Sequence, residues 1–220
     1  VTMKTTDMRI KTMILGPIQT NCYLVYHETT KKGIIIDPAD WATAIVQECR
    51  ENGVEPEAIL LTHGHGDHIQ AADALRKQFG IPLIAAADEE KLLGDPSLNL
   101  TAMMGMSLTS LRADRLVRDG DVLELAGFRL RVIATPGHTA GSVCYLAEGE
   151  EALFSGDTLF EGSYGRTDFP TGSGRSLAES ILKKLFALPE DTMVYPGHGA
   201  PTTIGGEKQG NPILMYRRSI

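Results

Sequence analysis

Thr62–His68 reads T-H-G-H-G-D-H, and the fold is decided by how this stretch is read. It sets three histidines and one aspartate close together in a chain that has only 6 histidines in 220 residues. At this composition H-x-H-x-D-H arises by chance in roughly 3 of 10,000 chains, so the pattern is specific. Imidazole and carboxylate are the usual nitrogen and oxygen ligands of zinc, iron and manganese. Gly64 and Gly66 remove side-chain bulk and should let the backbone bend, so that neighbouring residues converge on one point. The competing reading is an ordinary polar, glycine-rich turn.

The flanks place the motif at a strand end. Ala58 to Leu61 (A-I-L-L) is a short buried strand that leads into it. Ile69 to Phe79 follows as a helix, with Ile69, Ala72, Leu75 and Phe79 on one face and Gly80 as its stop. Ligand sites favour the carboxyl ends of strands in α/β proteins. Further upstream, Met8 to Leu15, Cys22 to His27 and Gly33 to Ile36 read as strands. Trp41 to Arg50 reads as a helix with Trp41, Ala44, Ile45 and Cys49 on one face and Asp40 as N-cap. Downstream, Ile81 to Ala85 is a strand and Ala87 to Leu93 a short helix. In 94–112, Met103, Met104 and Met106 are core filler, surface packing or the lining of an apolar pocket.

The second half repeats the style. Val122 to Leu125, Phe128 to Ile133, Ser142 to Ala147, Ala152 to Phe154 and Thr192 to Tyr195 read as strands. Ser176 to Leu188 is an amphipathic helix with Leu177, Ile181, Leu182, Leu185 and Leu188 on one stripe. No low-complexity linker splits the chain. The expectation is one α/β domain over 1–220, built as two sheets face to face with helices outside.

Bulk properties exclude several function classes. The formal charge is −7, and no lysine or arginine stripe marks a nucleic-acid footprint. No apolar run is long enough to span a bilayer, so no membrane role is expected. The N-terminus V-T-M-K-T-T-D-M-R-I has no signal-peptide core, and Met3 reads as the natural start. Cys22, Cys49 and Cys144 form no C-x-x-C pair and read as small buried hydrophobes of a reducing, cytoplasmic protein. The sequence carries no signature of oligomeric state.

Five of the six histidines fall in strand-end loops: His63, His65, His68, His138 in T-P-G-H-T-A-G-S and His198 in Y-P-G-H-G. His27 reads as a surface or packing histidine. Asp157, in S-G-D-T, follows an apolar strand.

The ordered set H-x-H-x-D-H, P-G-H, G-D-T and P-G-H-G resembles the metallo-β-lactamase superfamily, from about residue 10 to about residue 213. The resemblance implies a four-layer αββα sandwich with a two-metal site at one edge. It implies that His63, His65 and His138 hold the first metal, that Asp67, His68 and His198 hold the second, and that Asp157 bridges them. Zinc is the first expectation for the two divalent ions, with iron or manganese as alternatives. Asp37 matches an aspartate that supports the family's site from behind the ligands; an ordinary Asp-Pro turn is the other reading.

In the family mechanism a hydroxide shared by two cations about 4 Å apart attacks the substrate carbonyl. His63 and His138, on the metal that polarises the carbonyl, and Asp67, which also assists proton transfer, are then the catalytic residues. A thioester suits such a site, because a thiol of pKa about 8.5 leaves without a general acid. Members that open β-lactam rings commonly carry a cysteine where Asp157 stands, which points away from that substrate. G-S-Y-G-R-T-D-F-P-T-G, from Gly162 to Gly172, resembles two branches: the glyoxalase II-like thioesterases and the iron-dependent persulfide dioxygenases. In the second, His63, His138 and Asp157 would hold one iron. Arg166 matches the basic residue that holds the glutathione tail in glyoxalase II. Tyr164 and Phe169 are substrate contacts or packing residues. The expected partner is a small acyl-thiol. Residues 200–220 read as a short helix-like tail in place of a helical glutathione-binding domain, with Arg217 and Arg218 either solvated or reaching an anionic substrate.

Overall fold

The computed structural model describes residues 7–218 and 220; the reading of Met3 as the start lies outside them. The first sheet takes its strands in chain order: β1 (Met8–Leu15), β2 (Thr20–His27), β3 (Lys32–Ile36), β4 (Glu55–Leu60), β5 (Leu83–Ala86) and β6 (Arg115–Val117). β1, β2 and β3 pair antiparallel, and β3 to β6 run parallel. The second sheet is built from β7 (Val122–Leu125), β8 (Phe128–Ala134), β9 (Val143–Ala147), β10 (Ala152–Gly156), β13 (Met193–Pro196) and β14 (Thr202–Thr203), in the order β14-β13-β10-β9-β8-β7. β11 (Leu159–Phe160) and β12 (Ser163–Tyr164) form a small separate hairpin.

Strand periodicity explains the layers, since alternate side chains leave opposite faces of a sheet. Tyr23, Val25, Ile34, Ile36, Ala58 and Leu60 of the first sheet meet Leu130, Val132, Tyr145 and Phe154 of the second in one shared core. Their neighbours Cys22, Leu24, Ile35, Ile59 and Leu61 face the other way, onto Ile45 and Cys49 of α1 (Ala42–Asn52) and Leu75 of α3 (Ala72–Phe79). On the far side Cys144, Leu153 and Val194 pack against Leu177, Ile181 and Leu185. These last belong to α5 (Gly174–Glu179), which runs on through the π-turn Ser180–Lys184 and the 3-10 turn Leu185–Ala187. The result is the expected αββα sandwich. Each fully buried Leu or Ile contributes about 1.5–3 kcal/mol by leaving water. The Tyr145 hydroxyl crosses between the sheets to donate to Leu61 O at 2.8 Å, pinning the strand end just before the histidine motif.

Four local expectations are corrected. The helix expected over Ile69–Phe79 is two pieces, α2 (Gly66–Ile69) and α3. Gln70 N and Ala71 N donate to Ala39 O and Pro38 O instead of closing helical turns, so the break ties the motif to the loop after β3. Asp40 does not cap α1. Trp41 occupies the N-cap position at φ 48°, and the Asp40 carboxylate accepts from Trp41 N. This left-handed turn takes Trp41 out of phase with Ile45 and Cys49; it is exposed, as is Ala44. Gly64 and Gly66, neither at a positive φ, act by lacking side-chain bulk, as read from the sequence. They permit close approach: a Cβ on Gly64 would lie 2.8 Å from the side chains of Leu92 and Leu93, and one on Gly66 2.7 Å from Thr101 Cγ2.

The last correction concerns the helix-like tail after residue 200, whose described residues are packed against the domain rather than solvated. β14 extends the second sheet, and α6 (Ile204–Gly210) is capped by Thr203, whose side chain accepts from Gly206 N. Ile204 and Ile213 join the α5 core. Buried Glu207 accepts from Gly162 N, Thr202 Oγ1 and Asn211 Nδ2, fastening this segment to the β11–β12 turn. Arg217 and Arg218 are exposed, as read from the sequence.

Candidate metal centre

The site forms where strand ends of both sheets meet. β4 ends at Leu60 and delivers His63 and His65; α2 presents Asp67 and His68 one turn later. The loop after β8 brings His138, the end of β10 brings Asp157, and the loop after β13 brings His198. All seven sequence-predicted ligands therefore converge. Ligand atoms of His63, His65 and His138 lie within 4.8 Å of one another, as do those of Asp67, His68 and His198. The Asp157 carboxylate stands between the two sets: Oδ1 is 3.3 Å from His68 Nε2, and Oδ2 is 3.5 Å from His138 Nε2 and 3.4 Å from His198 Nε2.

Three of the imidazoles are oriented by the nitrogen that faces away from this centre, and the His65 ring meets His138 Nε2 through its Nδ1 at 2.9 Å. His68 Nδ1 donates to Asp37 Oδ2 at 3.0 Å, and His138 Nδ1 donates to Arg166 O at 2.7 Å. His63 Nδ1 lies 3.1 Å from Thr62 Oγ1, which itself donates to Asp37 Oδ2. Such partners orient each ring, and in its neutral form they direct the lone pair of the other nitrogen toward the centre. Asp37 also meets the distance criterion for a ligand, with His63 and His68. Both of its oxygens, however, are engaged by Thr62 N, Thr62 Oγ1 and His68 Nδ1, so it supports the ligands rather than joining them.

The donor set fits cations. Among the described residues, His63 Nε2, His65 Nε2, His68 Nε2 and Asp157 Oδ1 are buried with no hydrogen-bond partner. Buried polar atoms without partners are costly, and a shared cation would satisfy several at once. The protonation pattern agrees. Burial holds His63 well below its usual pKa and His65 at about 3, so both rings are neutral. Burial also opposes charge on His68 and His198, but neighbouring carboxylates outweigh it. Asp67, Asp157 and Asp37 raise His68 well above the usual range, and hydrogen bonds to Asp157 and Asp67 raise His198 to about 9. Two imidazolium charges thus balance the carboxylates, and a bound cation would take over that role and release the protons.

A cleft of about 510 Å³ opens over the cluster. His65, Asp67, His138, Asp157 and His198 line it together with apolar Ile18, Leu100, Met104, Phe160 and Phe169, and with Tyr164 and Arg166. Tyr164 and Phe169 are therefore cleft residues, and Phe169 stands edge-on to His65 at 5.7 Å between ring centroids. Of the three methionines, Met104 lines the cleft, Met103 is exposed and Met106 packs near Gly66. The guanidinium of Arg166 lies 4.0 Å over the Phe169 ring and forms a two-pronged bond to Asp168 at 2.7 and 2.6 Å. Its charge is already partnered. His27 stacks on Phe128, as a packing histidine should.

Several supporting residues were missed. Thr20 Oγ1 donates to Asp67 Oδ2 at 3.0 Å, and Asn21 Nδ2 donates to Pro196 O and Gly199 O, bracing the His198 loop. Two adjacent polar residues opening an otherwise apolar strand, T-N-C-Y-L-V, were the only available signal. Ile18, Leu100 and Phe160 carried none.

Comparison with known proteins agrees with this geometry. The Metallo-beta-lactamase superfamily profile matches residues 15–198. Probable metallo-hydrolase YqgX of Bacillus subtilis is 40% identical over 94% of this chain and 98% of its own. Hydroxyacylglutathione hydrolase GloC of Haemophilus influenzae is 35% identical over 94% and 98%. Among solved structures, BLEG-1 B3 metallo-beta-lactamase superposes with TM-score 0.89 at 43% identity, covering 94% of this chain and 99% of its own. TTHA1623 in a di-iron-bound form gives 0.83 at 36% (93% and 100%), and ETHE1 from Myxococcus xanthus gives 0.78 at 31% (93% and 84%). The αββα layers, the convergent histidines and aspartates, and these likenesses together show that the chain belongs to the metallo-β-lactamase superfamily.

Proposed function

We propose that the chain is a binuclear metal hydrolase of thioesters such as S-lactoylglutathione or another hydroxyacylglutathione. The observation that carries this reading is the pair of ligand triads sharing Asp157 beneath a largely apolar cleft. His63, His65 and His138 would hold one ion, Asp67, His68 and His198 the other, with Asp157 between them. Two divalent ions there would supply Lewis-acid polarisation of the thioester carbonyl and an ionised water at neutral pH. The protein's own contributions are orientation of the ligand side chains and an apolar lining for the substrate. Asp37, Thr62 and Arg166 O set the imidazole rings, and Thr20 holds one oxygen of Asp67. Asp67 would also assist proton transfer. Ile18, Leu100, Met104, Phe160 and Phe169 offer apolar surface to the acyl and thiol arms. The relation to GloC supports the thioester reading, and three free, buried cysteines support a reducing cytoplasmic setting.

The test is S-lactoylglutathione hydrolysis, followed by the released thiol. The expected result is turnover that chelator abolishes and zinc restores. No thiol release from protein carrying two zinc ions refutes the substrate assignment. The Gly162–Gly172 loop and the likeness to ETHE1 favour one second reading, a persulfide dioxygenase with iron at His63, His138 and Asp157. Oxygen uptake with glutathione persulfide by the iron-loaded protein separates the two. The likeness to BLEG-1 places a chromogenic cephalosporin in the same panel.

A further inference from the structure

Glu89 sits in the acidic run D-E-E-K, within the short helix read over Ala87 to Leu93, yet it is 1% exposed. It closes the 3-10 turn Ala87–Glu89 before α4 (Glu90–Gly94). One carboxylate oxygen accepts from Gly64 N at 2.9 Å, the amide between His63 and His65. The other accepts from Gly141 N and from Thr139 Oγ1, both at 3.0 Å, in the loop that carries His138. A single carboxylate thus joins the loop holding two members of the histidine triad to the loop holding the third. The first loop leaves one sheet and the second leaves the other. The packing around it is tight on both sides. A Cβ on Gly141 would overlap Glu89, and one on Gly64 would reach Leu92 and Leu93 of α4 at 2.8 Å.

We infer that Glu89 is a positioning residue, bracing the His63–His65 loop against the His138 loop so that this triad is spaced for a divalent cation. The inference rests on the proposed metal-binding role of the triad. Three donors converge on two oxygens, a demand that an ionised carboxylate meets with about four lone-pair sites. Glutamine has one acceptor oxygen, so its NH2 group would face an N–H donor on one side. Among the described residues no Lys, Arg or His forms an ion pair with Glu89, so its carboxylate is held by the three hydrogen bonds alone. Burial pushes its pKa up to about 7 even against the three hydrogen bonds.

Zinc partitioning between the protein and a chelating competitor tests this, read site by site through the 15N signals of the imidazole rings. Glu89→Gln should lose zinc from His63, His65 and His138 at about 10–100-fold lower competitor concentration, the usual range for a lost outer partner of a metal site. The Asp67–His68–His198 site should shift less than threefold. Equal loss from both sites, as general loosening would cause, or no loss, overturns the assignment. Thr139→Val removes one donor and leaves the carboxylate, so it keeps the test decisive if Glu89→Gln does not fold. Its expected shift is in the same direction and smaller, and unchanged partitioning overturns the inference. Failure of the wild-type protein to hold zinc at the triad would instead remove the metal-site reading itself.

Discussion

Replacing Asp37 by asparagine should separate metal binding at His68 from the stability of the fold. Asp37 Oδ1 accepts from Thr62 N at 2.8 Å; Oδ2 accepts from Thr62 Oγ1 at 2.6 Å and His68 Nδ1 at 3.0 Å. Asparagine offers one oxygen and one NH2 group. If the oxygen keeps Thr62 N, the NH2 group donates to His68 Nδ1, and the neutral ring must carry its proton on Nε2. That is the nitrogen facing Asp67 at 3.5 Å and Asp157 at 3.3 Å, and once protonated it cannot bind a cation. The reversed amide sets its NH2 against Thr62 N–H, leaving a buried donor unpaired at about 1–3 kcal/mol, so the first orientation wins. The expected loss of affinity at the Asp67–His68–His198 site is about 10–100-fold, or about 1.4–2.8 kcal/mol.

Alanine at the same position is the control. It leaves Thr62 N and His68 Nδ1 both unpaired, at about 1–3 kcal/mol each. It also lacks the tolerance of Asp and Asn for the left-handed φ of 51° at this residue. Denaturant melts in chelator should therefore show Asp37→Ala clearly less stable than Asp37→Asn, while zinc competition shows both weakened at this site. Wild-type zinc affinity in Asp37→Asn, or an affinity loss matched by a fold defect as large as that of alanine, would refute the tautomer argument.

Other expectations follow from the same geometry. Glu89 has its folded pKa raised to about 7. Its contribution to stability is therefore full below the unfolded value of about 4.3 and is lost as pH rises through 7, by about 3–4 kcal/mol over the window. Melts of metal-free wild type and Glu89→Gln between pH 5 and 8 should show this slope in the wild type beyond that of the variant; parallel curves would dispose of it. Asp168→Asn should free the Arg166 guanidinium for an anionic thiol arm and lower KM for S-lactoylglutathione up to about fivefold, since exposed pairs are worth about 0–1 kcal/mol. An unchanged KM would mean that Arg166 does not meet the substrate. Gly197→Ala should abolish loading of the second ion, because the added Cβ would overlap Asp157 Oδ1 and come within 2.8 Å of His68 Cε1. Two bound zinc ions in that variant, by metal analysis, would count against the assigned ligand geometry.

How far the sequence could be read depended on which chemical group performs each task. The seven clustered residues were legible because metal-binding capacity is a property of side-chain type, and His and Asp at strand ends are conspicuous. The sheets were legible because alternation in stretches such as Phe128–Ala134 reports two faces directly. Trp41 and the break at Gln70–Ala71 were not legible, because each depends on backbone groups that find partners in another loop. The substrate reading is the least direct. Taking Asp157 as a sign against β-lactams reads the site alone, whereas the likeness to BLEG-1 concerns the whole chain and puts that chemistry back under test.

The same distinction explains why Glu89 stayed hidden while Asp37 did not. Asp37 acts on a side chain, His68, and stands beside a proline in a turn that draws notice. Glu89 acts mainly on the amides of Gly64 and Gly141, and every non-proline residue carries such an amide. Nothing in the identity of Gly64 announces that its N–H needs a carboxylate. Residues able to ligate can therefore be picked out from sequence, whereas a carboxylate that joins two loops from different sheets emerges only from the structure. If zinc partitioning responds to Glu89→Gln at one site and not the other, the spacing of the histidine triad is set from outside the motif that supplies most of it.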